Sequence, residues 1–182
     1  ISPNERGADQ TPPTGECCMS APPVMEFDQG GNLLRSWGGA KDGAPFDWPL
    51  SNHGLWIDKQ GNVWIGANHN ADSHILKFTK DGKFIAQFGK PGAATNSNDP
   101  DNFGSPAKIM VDDARHEAYV ADGYRNRRVV VIDTETGARK RYWGAYGNKP
   151  DDMNLGRYTP GETPTQQFRG PVHCAMLSVD DL

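Results

Sequence analysis

Apolar residues come in short bursts along this chain, each closed by a polar turn. Val24-Met-Glu-Phe27, Leu55-Trp-Ile57, Val63-Trp-Ile65, Ile75-Leu-Lys-Phe78, Ile109-Met-Val111, Ala118-Tyr-Val-Ala121 and Val129-Val-Val-Ile132 are all too short for an amphipathic helix. They are rich in β-branched and aromatic residues, which predicts strands. The turns between them carry Asp, Asn and Gly: Asp28-Gln-Gly-Gly-Asn32, Asp58-Lys-Gln-Gly-Asn62, Thr79-Lys-Asp-Gly82 and Asp133-Thr-Glu-Thr-Gly137. Such turns between β-forming runs predict hairpins.

The bursts repeat. Three segments end in an aromatic residue followed by glycine, at Trp37-Gly38, Phe88-Gly89 and Trp143-Gly144, and the glycines stand 51 and 55 residues apart. Each ending is preceded by a hairpin, and the two later hairpins are preceded by two further strands, Gly54–Asp58 with Val63–Gly66 and Lys108–Asp112 with Glu117–Asp122. One unit is therefore four antiparallel strands in about 40–50 residues, the length of a propeller blade. The predicted fold is all-β, a β-propeller of four-stranded antiparallel blades. A half blade occupies 23–39, a blade about 50–89, a second about 104–144, and a further first strand begins within 170–182, at His173. Residues 1–22 read as an extended polar lead-in. Propellers close with 4 to 8 blades, so about three of an expected six are covered, and the remainder of the same propeller is expected beyond both ends. Segments 92–102 and 145–167, rich in Gly, Pro, Asn and Asp, are long connections of the kind that carry function or move.

Composition narrows the chemistry. Glycine and proline number 21 and 14, which suits tight turns. With 19 basic and 23 acidic residues the net charge is −4, and no basic run marks a nucleic-acid surface. No stretch approaches the roughly 18 apolar residues that span a bilayer. Cys17, Cys18 and Cys174 make no disulfide framework; either of the first two can pair with the third, pair with a cysteine outside this chain, or stay free.

The repeat register supplies candidate ligands. First strands of propeller blades line the central channel. Aligning the copies on Asp58, Asp112 and Ser178, the residue five earlier is His53, Ala107 and His173. In a six-bladed ring, alternate blades place such histidines about 120° apart. A third histidine two blades on would complete a three-imidazole site with one open position, as a catalytic zinc requires. His69, His74 and His116 fall in other registers and read as turn or surface residues. Asp122-Gly-Tyr124, followed by Arg125-Asn-Arg-Arg128, places a tyrosine in the loop above the channel. There it acts either as a phenolate base near cations or as an aromatic packed between blades.

These residues also carry a resemblance. The units resemble NHL repeats, and Pro49–Asp58, Val120–Val129 and Phe168–Leu177 resemble the matching segments of the peptidyl-α-hydroxyglycine α-amidating lyase family and its bacterial relatives, from about Pro23 to the C-terminus. That resemblance implies a six-bladed propeller with a zinc ion held by three histidines and a structural calcium. His53 and His173 match two zinc ligands, the Leu55 carbonyl a calcium ligand, and Tyr124 the base. The implied reaction is metal-dependent cleavage of a carbinolamide to an amide and glyoxylate, on a small-molecule or peptide-derived substrate, in the periplasm or outside the cell. The catalytic arginine and the third histidine of that pattern are expected outside 1–182, and Arg6 is not at a matching position. Two other readings stand beside it. One is a non-catalytic NHL scaffold that binds a protein or glycan partner. The other is a calcium-dependent lactonase-type hydrolase, which expects acidic and Asn ligands where the channel positions here show His and Ala.

Overall fold

The computed structural model describes residues 21–93 and 96–178. The polar lead-in up to residue 20, with Arg6, Cys17 and Cys18, lies outside them, as do 179–182.

Among the described residues every strand pairs with at least one strand adjacent to it in sequence. β1 (Val24–Phe27) and β2 (Leu33–Trp37) form a hairpin. β3 (Asn52–Ile57), β4 (Val63–Ala67), β5 (His74–Phe78) and β6 (Phe84–Gly89) form one four-stranded antiparallel sheet in chain order. β7 (Pro106–Asp112), β8 (Glu117–Asp122), β9 (Arg128–Asp133) and β10 (Arg139–Trp143) form the second. A 3-10 turn follows at Ala145–Gly147. The fold is all-β, built of up-and-down four-stranded blades of a β-propeller.

The turns are made by the residues that predicted them. The Asp28 carboxylate accepts bonds from the backbone N–H and the side-chain amide of Asn32 at 2.8 and 2.9 Å. Asp58 repeats this with Asn62 at 2.7 and 3.0 Å, and also accepts the indole N–H of fully buried Trp64 at 3.0 Å. Gly31 and Gly61 stand at φ +83°, the left-handed conformation that these turns require.

Burial follows each strand's place in its blade. β4 is buried at every residue, and β5, β8 and β9 nearly so, because both faces of a middle strand meet neighbouring sheets. That is why these runs lack polar alternation. The outer strands β2 and β10 are largely exposed. Trp64, Ile75, Phe88, Phe103, Ile109, Val120 and Ile132 belong to one core cluster that joins the two blades, with Trp64 and Phe88 stacked at 5.6 Å. Val24, Trp48, Ile65, Leu76 and Phe78 form a second cluster beneath the β1–β2 hairpin.

The inner strands of the two blades touch backbone to backbone. A side-chain carbon on Gly54 would stand 2.2 Å from the Ala107 carbonyl oxygen, and one on Gly66 would stand 2.7 Å from that of Pro106. Only glycine permits this approach of β3 and β4 to β7.

Over 173–178, where a further first strand is expected, no ladder forms among the described residues; just before it the Val172 N–H donates to the Gly123 carbonyl at 3.3 Å. One expectation needs correction. His74 is no surface residue: it is 1% exposed at the start of β5, with Nε2 2.7 Å from the Asp47 carbonyl oxygen. Burial holds its pKa below the ordinary imidazole value, against the pull of Asp47 and Asp72.

Candidate functional site

A local irregularity recurs at the register position that carries His53. The β3–β4 ladder slips between Asn52 and Leu55, a stretch that contains His53. The β7–β8 ladder slips between Pro106 and Lys108, a stretch that contains Ala107. Both blades therefore bulge at the equivalent residue, and a bulge re-aims the side chain it carries. In the second blade that residue is the buried Ala107, against which Gly54 packs. In the first it is His53, which is exposed.

Tyr124 is fixed by its own loop. Asp122, fully buried, accepts the Gly104 N–H at 2.6 Å, the Asn126 amide at 2.8 Å and Arg128 Nε at 2.7 Å. Burial pushes this carboxyl up, and the Arg128 guanidinium opposes it. Arg128 in turn donates to the carbonyls of Ser97, Asp99 and Asn102, tying the loop to the 96–102 connection. The N–H groups of Tyr124 and Arg125 reach the Ser105 and Gly104 carbonyls. The Arg125 side chain turns to Ser73, Ser105 and Phe103. Tyr124 is left projecting, 36% exposed.

His173 arrives by a close approach that Gly123 allows. A side-chain carbon on Gly123 would lie 2.1 Å from the Val172 oxygen and 2.3 Å from its nitrogen. Val172 packs with Ala121 and Val129, and Phe168, Ala175 and Trp143 lie against them. This anchor sets His173 beside Tyr124. Cys174, next in sequence, is exposed.

These three pieces bring together His53, Tyr124 and His173. The Tyr124 hydroxyl oxygen is 2.9 Å from Nε2 of each histidine, and the two Nε2 atoms are 3.2 Å apart. The three rings meet edge to face, with centroids 5.3–5.5 Å apart. The three contacts are not all hydrogen bonds at once. A phenol carries one proton and a neutral Nε2 at most one, and each aims at a single partner. Burial, and then the neighbouring His173, hold the His53 pKa below its ordinary value, which favours the neutral imidazole with a lone pair to give.

The pair fits zinc. Two imidazole nitrogens at 2.0–2.1 Å from a tetrahedral zinc lie about 3.3 Å apart, and the observed separation is 3.2 Å. Calcium is a different case, because it needs six to eight oxygens. Among the described residues no group of three or more His, Cys, Asp and Glu side chains converges. The structure places Leu55 on the exposed face of β3, with Ile57 along an apolar groove beside Val24, Met25 and Trp37. Leu55 alone does not make a calcium site.

No protein-family model matches the chain. Over 124 residues it is 28% identical to NHL repeat-containing protein 3 of Mus musculus, a match that covers 63% of this chain and 32% of that protein. The chain thus aligns with about a third of the length of this relative. The similarity supports the NHL-repeat reading and a β-propeller scaffold. Among the described residues no helix is long and apolar enough to cross a membrane.

Sequence reasoning found the three converging residues through the repeat register and the Asp-Gly-Tyr motif. It missed Gly54 and Gly123, the two glycines that let the pieces meet. A glycine next to His53 and another next to Tyr124 are the only signal the sequence holds for them.

Proposed function

We propose that this chain carries part of the active site of a metal-dependent, lyase-like β-propeller that cleaves a carbinolamide to an amide and glyoxylate. The convergence of His53, Tyr124 and His173 on one exposed point carries the reading. His53 and His173 would hold zinc through Nε2. When bound, zinc supplies a Lewis acid that polarises a substrate hydroxyl.

The remaining chemistry belongs to the chain's own groups. The Tyr124 oxygen accepts the proton of the substrate hydroxyl. The electrons of that O–H bond form the new C=O, and the adjacent C–N bond breaks. The departing amide nitrogen takes a proton, for which Tyr124, by then protonated, is the nearest donor. The fixed loop of Asp122, Asn126 and Arg128 holds the phenol in place, which matters because catalytic groups act only near their productive geometry. Exposure of all three side chains leaves room for a peptide-derived substrate to enter from solvent.

The test is to offer the zinc-loaded full-length protein a peptide ending in α-hydroxyglycine and to measure glyoxylate. Release of glyoxylate that His173→Ala abolishes supports the reading; no release above buffer overturns it.

A second reading is a non-catalytic NHL scaffold that binds a partner through its loops. The observation in its favour is that the two long connections are locked together. Ser97 bonds Asp152 through backbone and hydroxyl, and Arg127 reaches the Met153 carbonyl, so 96–102 and 150–153 present one fixed surface. A binding screen with either loop deleted tests it, and a scaffold role fails if neither deletion loses a partner.

A further inference from the structure

We propose that a cavity beside the start of β5 is a binding site for a neutral carboxamide. The inference does not depend on the metal site and goes beyond the lyase reading.

The cavity has a volume of about 360 Å³ and lies between the β2–β3 connection and the start of β5. Small-molecule sites occupy about 300–1,000 Å³. Two of its lining side chains, Trp48 and His74, are buried, and each holds a polar atom with no hydrogen-bond partner among the described residues. These atoms are Trp48 Nε1 and His74 Nδ1. Buried polar groups are nearly always paired, so two unpaired ones in one lining point to a ligand. They are of opposite kind. An indole N–H only donates. The Asp47 carbonyl oxygen only accepts, so His74 Nε2, 2.7 Å away, carries the ring proton. Nδ1 of the neutral ring is then an acceptor. Neither ring is free to seek another partner. His74 is held by its bond to Asp47. Trp48 packs on Phe78 with centroids 5.8 Å apart, and a side-chain carbon on Gly38 would stand 2.6 Å from its ring.

The unpaired atoms and the walls define the ligand class. One water takes up about 30 Å³ of liquid, less than about a tenth of this space. A ligand must accept from Trp48 and donate to His74. A carboxylate cannot donate, and Asp47 and Asp72 in the same lining repel it. An ammonium cannot accept. A primary carboxamide does both from one planar group without burying a charge. An alcohol also does both, but from a single oxygen. Phe46, Leu50, Ala71 and Pro91 offer apolar contact to the rest of the molecule, and exposed Lys41 and Asp42 mark the mouth. Asn52 pairs with Ala67 and His74 with Gly89, which puts the cavity at the end of the blade that carries His53.

The test is an NMR titration of the full-length protein with isocaproamide, isocaproate and isohexanol, which share one apolar tail. The amide is expected to shift the Trp48 indole N–H resonance, identified by its loss in Trp48→Phe. Trp48→Phe keeps a ring in place but removes the donor, and should weaken amide binding by at least about tenfold. The acid and the alcohol should bind more weakly than the amide. His173→Ala, which disables the metal site, should bind the amide as the wild type does. An unmoved Trp48 resonance overturns the inference and needs no variant to fold. A carboxylate or alcohol that binds as tightly as the amide overturns the ligand class. Loss of amide binding in His173→Ala would move the ligand to the metal site and overturn the inference as well.

Discussion

Gly123→Ala is the sharpest perturbation of this site. The added carbon would fall 2.1 Å from the Val172 oxygen, 2.3 Å from its nitrogen and 2.5 Å from its carbonyl carbon. All three are backbone atoms and cannot rotate away. Restoring ordinary contact near 3.4 Å requires the Val172 backbone to retreat by roughly 1 Å, a shift that overpacking typically makes at a cost of about 1–3 kcal/mol. His173 is the next residue and moves with it. Its Nε2 lies 2.9 Å from the Tyr124 oxygen and 3.2 Å from His53 Nε2, and metal bonds tolerate only about 0.2 Å of error. Zinc affinity should therefore fall on the order of 10–100-fold, the range seen when the support of a ligand is lost. Chelator competition measures the affinity, and a urea melt separates it from the stability cost. A folded Gly123→Ala protein with wild-type zinc affinity would refute the claim that this close approach positions the histidine.

Two further outcomes follow from the frame that holds the site. Asp58→Ala leaves the fully buried Trp64 indole N–H without its acceptor; urea unfolding should show a loss of about 1–3 kcal/mol, and a change under about 0.5 kcal/mol would contradict that role. Glu117, buried and paired with Arg141 at 2.6 Å, has its pKa lowered to about 2, chiefly by the Arg141 hydrogen bond with help from Lys140 and Tyr119. Its folded-state pKa is depressed, so its contribution is complete above the ordinary value of 4.5 and disappears as pH falls toward about 2. Because Arg141 is 44% exposed, solvent screening reduces the contribution to on the order of 2 kcal/mol. The stability gap between wild type and Glu117→Gln should close across that window, and a gap that does not change with pH would contradict the ion pair.

The blades were legible because their signals are local. Asp58 and Asn62 make their turn within five residues of sequence, and the apolar runs on either side carry β-forming side chains. The match of His53 with Ala107 was legible because the bulge recurs at the same register position in both blades. What stayed hidden depends on distant contacts. Gly123 meets Val172 across 49 residues of chain, and Gly54 meets Ala107 across 53, so neither glycine announces its role. His74 sits among Asp72, Ser73 and Lys77, which reads as surface; the 46–48 segment covers it and turns it into a buried group bonded to Asp47. The alternation of 173–178 reads as a strand, yet pattern alone supplies no partner edge.

The central claim is that His53 and His173 hold a metal together, and metal analysis tests it most directly. The protein dialysed against zinc should retain it in equimolar amount, and His53→Ala and His173→Ala should each lose it while keeping the fold. Undiminished zinc in both variants would contradict the site.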